Sequence, residues 1–149
     1  MTPEDLARIE RDLSVTLTPS FRETLQRPEF QSESAGFQEF SGDADEIIGL
    51  NLEVWEDGFC GVKWPEHYLV IGEDGAGNNY FTDLHQPRPA VLLADHEQTT
   101  KQQRLVTSES YDTFADFIAY IHRLQFEMDV PPETSPAPSH AKKPWWRFW

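Results

Sequence analysis

Tyr68-Leu-Val-Ile-Gly-Glu-Asp-Gly-Ala-Gly-Asn-Asn-Tyr-Phe-Thr-Asp-Leu84 is the stretch on which the fold turns. An apolar run, Tyr68 to Ile71, meets a turn rich in Gly72, Gly75, Gly77, Asn78 and Asn79, and a second β-type run follows from Tyr80 to Leu84. Glycine and asparagine tolerate positive φ, so the cluster reads as a hairpin connection between two strands. Two ligand-binding readings fail on chemistry. A phosphate loop needs a Lys, a Ser or Thr and a following helix N-terminus. Here Glu73 and Asp74 would repel phosphate, and a strand follows. A calcium loop counted from Asp74 has Asn79 where the sharp turn needs Gly, and His85 where the closing Glu belongs.

The same residues carry a family likeness. An apolar strand ending in Gly, a Gly/Asp/Asn-rich turn and a Tyr-Phe-x-Asp-Leu strand resemble the central signature of the SUKH superfamily, in its Smi/Knr branch. Further segments match in order: Leu17 to Phe21, Trp64-Pro65, Pro89 to Glu97, and Val106 to Ser108 leading into a helix with Phe114 and Phe117. The likeness spans residues 3 to 126. It implies a non-enzymatic protein-binding domain. Many bacterial members are cytoplasmic immunity proteins that neutralise a toxin by binding it, and the fungal relatives are regulatory scaffolds of cell-wall synthesis. It also implies that the Asp95-His96-Glu97 position is a structural feature of the sheet edge, without catalysis.

At 149 residues the chain is long enough for one self-sufficient core. The solitary Cys60 excludes an intramolecular disulfide and a four-cysteine zinc site, and reads as a small buried hydrophobe. The acidic start, Met1 to Asp5, is no signal peptide, and no apolar run is long enough for a membrane span, so the expected address is the cytoplasm. Net charge is −14, unevenly placed: residues 1–138 carry nine basic against 26 acidic side chains, a net of −17. Such a body repels nucleic acid and attracts a basic protein, so direct DNA or RNA binding is not expected.

Thr2-Pro3 and Thr18-Pro19 are helix starts, with a capping hydroxyl before a proline that needs no N–H donor. Apolar stripes then predict helices over 3–13 and 19–27. Ile47 to Trp55 alternates in its second half and reads as a half-buried strand, although Ile47 and Ile48 could instead end a short helix from Asp43. Strands are expected at 68–73, 79–84, 90–94 and 104–107, and a helix over 111–127 carries Phe114, Phe117, Ile118 and Ile121 at helical spacing. The result is an α+β domain over 1–129, a single twisted, mainly antiparallel sheet covered by N-terminal and C-terminal helices. Pro131, Pro132, Pro136 and Pro138 mark 130–140 as a flexible linker to a basic aromatic tail at 141–149.

No catalytic set emerges. The five histidines show no metal-ligand spacing, the serines lack a nucleophile setting, and Cys60 has no evident activating partner. Asp95, His96 and Glu97 are adjacent, so their side chains diverge, and the segment reads as a turn. The expectation is no catalytic centre, no cofactor and no transition metal; an unrecognised hydrolase or metal enzyme is the alternative from another class. Partner binding is assigned to an acidic surface of Glu73, Asp74, Asp83, Asp95 and Glu97 at strand ends, facing a basic toxin domain. The tail residues Trp145, Trp146, Arg147, Phe148 and Trp149 complete the expected contact set. Clustered aromatic and basic side chains dock on a partner or on the acidic body in the first reading, touch a membrane interface weakly in the second, and stay free in the third.

Overall fold

The computed structural model describes residues 1–26 and 40–129, which form five helices and four strands. Thr2 opens the first helix, α1 (Pro3–Asp12), with a reciprocal cap: its hydroxyl accepts the Asp5 N–H at 3.1 Å and its own N–H donates to the Asp5 carboxylate at 3.0 Å. Thr18 caps α2 (Pro19–Leu25) in one direction only, its hydroxyl accepting the Phe21 N–H at 3.3 Å. Glu10 ties the two helices together, accepting the Leu17 N–H at 2.9 Å and pairing with Arg22. Both helices lie where proline and threonine place them.

The sheet order is β1-β2-β3-β4, antiparallel throughout, with β1 (Tyr68–Glu73), β2 (Asn79–Asp83), β3 (Val91–Ala94) and β4 (Thr107–Tyr111). Alternation along the strands divides the side chains between two faces. Leu69, Ile71, Tyr80 and Leu93 pack with Leu6, Ile9, Phe21, Leu25, Phe117 and Ile121, so helices from both chain ends cover that face. Val70, Phe81 and Ala94 pack on the other side with Val54, Phe59 and Trp64. The α+β reading therefore holds, with a second, smaller core behind the sheet.

Four local expectations are corrected. Residues 47–55 are not a strand but the middle of α3 (Ala44–Asp57). Asp43 caps it, accepting the Asp45 N–H at 2.8 Å, and the buried face is Ala44, Ile47, Asn51 and Val54. That spacing is helical. The apparent alternation was an accident of composition, since Leu52 is 49% exposed and Asn51 is wholly buried, the reverse of what the strand demands. The last strand runs over Thr107–Tyr111 rather than 104–107; Val106 lies in the connection, its C=O accepting the Asp95 N–H at 2.9 Å and its N–H donating to the Thr99 hydroxyl at 3.1 Å. The closing helix, α5 (Phe114–Asp129), starts later than 111, where the Thr113 hydroxyl accepts the Asp116 N–H at 3.1 Å. The segment after β3 is a helix, α4 (His96–Gln102), with Asp95 as its cap. Its His-Glu-Gln-Thr-Thr-Lys-Gln sequence has no apolar stripe to announce it.

The two outer edges of the sheet are treated differently. Asn51 of α3 faces the free edge of β1: its Oδ1 accepts the Val70 N–H and its Nδ2 donates to the Val70 C=O, both at 2.8 Å. Ser41 N–H adds a bond to Ile71 C=O at 2.9 Å. One helix side chain thus stands in for a fifth strand. At the other edge β4 is short and polar, Thr-Ser-Glu-Ser-Tyr, and such composition discourages edge-to-edge aggregation.

Candidate functional site: the two ends of the hairpin

The β1–β2 hairpin collects polar side chains at both ends. At its tip, Gly75 and Gly77 take φ of 73° and 91°, which lets the chain wrap around the Asp74 carboxylate. Asp74 Oδ1 accepts the N–H groups of Ala76 at 2.8 Å and Asn78 at 3.0 Å, and Oδ2 accepts from Asn78 Nδ2 at 2.6 Å. Asn78 Oδ1 in turn accepts the His96 N–H at 2.8 Å and lies 2.9 Å from His96 Nδ1. A carbonyl oxygen can only accept, so that ring nitrogen carries its proton. Asn79 pairs with Ala94 across β2 and β3, which brings Asp95 and α4 to the same end. Asn78 therefore fastens the hairpin tip to the start of α4, a role that no reading of spacing assigned to it.

Four of the five expected acidic residues, Glu73, Asp74, Asp95 and Glu97, meet at this end. Their duties differ. Asp74 is committed to its own turn, and Asp95 caps α4 by accepting the Gln98 N–H at 2.8 Å. Glu73 and Glu97 are exposed, the latter 3.2 Å from Lys101. An exposed pair of that kind holds the carboxylate weakly. Glu73 and Glu97 are thus the exposed carboxylates at this end, while Asp74 and Asp95 are engaged by backbone N–H groups.

Burial pushes the Asp74 carboxyl up, but the hydrogen bonds from Asn78 and Ala76 outweigh it and hold the group below the ordinary carboxylate range. A depressed folded value means that its stabilisation is complete above about pH 4 and drains away as acid protonates the folded carboxylate. Asp74→Asn is accordingly expected to destabilise at neutral pH and to lose less than the parent between neutrality and pH ~3. Urea midpoints at the two pH values measure this, and parallel pH profiles would show that the turn does not depend on the charge.

Asp83 does not join that cluster. Its register partner is Tyr68, at the opposite end of β2. There Leu84 N–H donates to His67 C=O at 2.9 Å, and Asp83 Oδ1 accepts the His85 N–H at 2.9 Å. The His67 and His85 rings stack with centroids 4.3 Å apart and planes 3° from parallel. The expectation of scattered histidines is corrected at this point: residues distant along the chain are joined by strand pairing. His67, Asp83 and His85 each offer a ligand atom, and these atoms lie within 4.8 Å of one another.

Cys60 is half-buried rather than buried and occupies the tight turn between Phe59 and Val62, with φ of 53°. Trp145, Trp146, Arg147, Phe148 and Trp149 lie outside the described residues, as does the 130–140 segment. Among the described residues no helix is long and apolar enough to cross a membrane.

A family model described as the SMI1/KNR4 family (SUKH-1) matches residues 1–120. Comparison with curated proteins and with solved structures returned no match.

Proposed function

The chain belongs to the SMI1/KNR4 family (SUKH-1), and from that membership we propose that it is a non-enzymatic protein-binding domain, a cytoplasmic immunity protein that neutralises a basic toxin domain by occupying its surface. The family match over residues 1–120 carries the reading, because members of this family are generally non-catalytic and act through protein contacts. Charge supports it. A net of −14 on a chain of this size favours encounter with a cationic surface, such as the one a nuclease uses to hold nucleic acid. The exposed carboxylates Glu73, at the end of β1, and Glu97, on α4 beside the hairpin tip, are the contacts that meet it first, and the basic aromatic tail adds a second attachment.

The test is the protein domain encoded by the neighbouring gene. Co-expression with this protein is expected to protect cells from that domain, and the purified pair is expected to associate. Glu73→Lys with Glu97→Lys is expected to slow association by about tenfold and to reduce its salt dependence. A neighbouring product that neither harms cells nor binds overturns the immunity reading. Unchanged association kinetics in the double variant moves the interface away from the hairpin tip.

A further inference from the structure

We propose that His67, Asp83 and His85 form a binding site for a divalent transition ion of the Zn2+ class. The site is independent of the acidic tip and stands at the other end of the hairpin. Pairing of Tyr68 with Asp83 places the residue before β1 beside the end of β2 and the turn that follows it. Two imidazoles and one carboxylate make a donor set suited to Zn2+, and also to Ni2+, Cu2+ or Fe2+. Mg2+ and Ca2+ are poorly matched, because they take oxygen ligands almost exclusively.

The geometry is close to what coordination needs. Tetrahedral bonds of about 2.0–2.2 Å set ligand atoms roughly 3.3–3.6 Å apart, and the three atoms here already lie within 4.8 Å of one another. The ring planes are parallel, so one imidazole must turn to share an ion with the other. His85 is exposed and has the room to do so, while His67 is half-buried against Tyr68, with ring centroids 4.5 Å apart. The backbone beneath them is pinned by the Leu84 N–H bond to His67 C=O and by the Asp83 bond to the His85 N–H. A ligand set built on a strand end is better held than one on a free loop. Asp83 Oδ1 is engaged with that N–H, and Oδ2 has only the Gln86 amide at 3.3 Å, which leaves acceptor capacity for an ion.

His96 at the tip makes a useful contrast. It sits among more carboxylates, but its Nδ1 faces Asn78 and both Asp74 and Asp95 are committed to backbone N–H groups. Three protein ligands at the His67 site leave a fourth position for water or for a donor from a bound protein. An ion there would clamp the entry to β1 onto the β2–β3 connection.

Calorimetric titration of the full chain with ZnCl2, and visible absorption with Co2+, test the site. The parent is expected to bind one equivalent and to melt at a higher temperature with Zn2+ than without. Asp83→Asn keeps an oxygen for the His85 N–H and removes the charge. It and His67→Gln are each expected to weaken Zn2+ by about tenfold or more, since even outer-shell losses at metal sites reach that size, and to abolish the thermal shift. His96→Gln is expected to bind as the parent does. Urea unfolding without metal separates lost ligation from lost folding. Absence of stoichiometric binding by the parent, or equal binding by His67→Gln, His85→Gln and the parent, overturns the proposal.

Discussion

Asn51→Ala is expected to destabilise the protein by about 2–6 kcal/mol, from two stranded backbone groups at ~1–3 kcal/mol each. Asn51 is wholly buried, and its amide satisfies both the N–H and the C=O of Val70 while also donating to the Ile47 C=O at 2.8 Å. Val70 is itself inaccessible, so no water replaces the lost partner. Asn51→Leu fills the volume but strands the same groups, and Asn51→Asp keeps the acceptor at the cost of a buried charge, so neither is expected to rescue. Urea unfolding measures the loss, and amide exchange at Val70 locates it, because that N–H should become the fastest-exchanging position of the inner sheet. A loss below ~1 kcal/mol, the scale of one ordinary hydrogen bond, would mean that β1 closes its edge by other means.

Trp64→Ala is expected to cost about 3–5 kcal/mol through the cavity it leaves. The indole is 1% exposed and meets Phe59, Tyr68 and Phe81 edge to face, with centroids 5.5, 6.3 and 5.1 Å away. Its Nε1 donates to the Tyr68 C=O at 2.8 Å. Trp64→Phe retains most of the apolar volume and loses that bond, so about 1–3 kcal/mol is expected of it. The gap between the two variants separates packing from hydrogen bonding. Leu52→Ala, at an exposed position, is the control and should stay within ~0.5 kcal/mol. If the two tryptophan variants lose equally, the indole N–H and not the ring holds this side of the sheet. Both Asn51 and Trp64 act on β1, one at Val70 and one at Tyr68, so their double variant should depart from additivity.

The helix starts at Thr2 and Thr18 were legible because a cap is local: hydroxyl and proline act within a few residues of themselves. The hairpin was legible for the same reason, since Gly75 and Gly77 adopt the positive φ that their residue type permits. The α3 helix was not. Its burial face depends on which side meets β1, and a buried Asn51 looks like a solvent-facing residue until Val70 is placed opposite it. The α4 helix escaped because a polar segment of seven residues carries no hydrophobic period, and its cap, Asp95, also suits a turn.

The candidate sites divide along the same line. Proximity of Glu73, Asp74, Asp95 and Glu97 could be read from strand ends, but Asp83 shares that composition and lies at the far end, because an antiparallel partner reverses direction. The charge excess, the absence of a nucleophile setting and the likeness to SUKH proteins are properties of residue type and order, legible before any contact is known. Which carboxylates are committed to backbone N–H groups, and that His67 and His85 stack beside Asp83, were decided only by tertiary structure. The physical reason is that local chemistry sets caps and turns, whereas the meeting of distant side chains follows from strand register, and register is settled by the packing of the whole sheet.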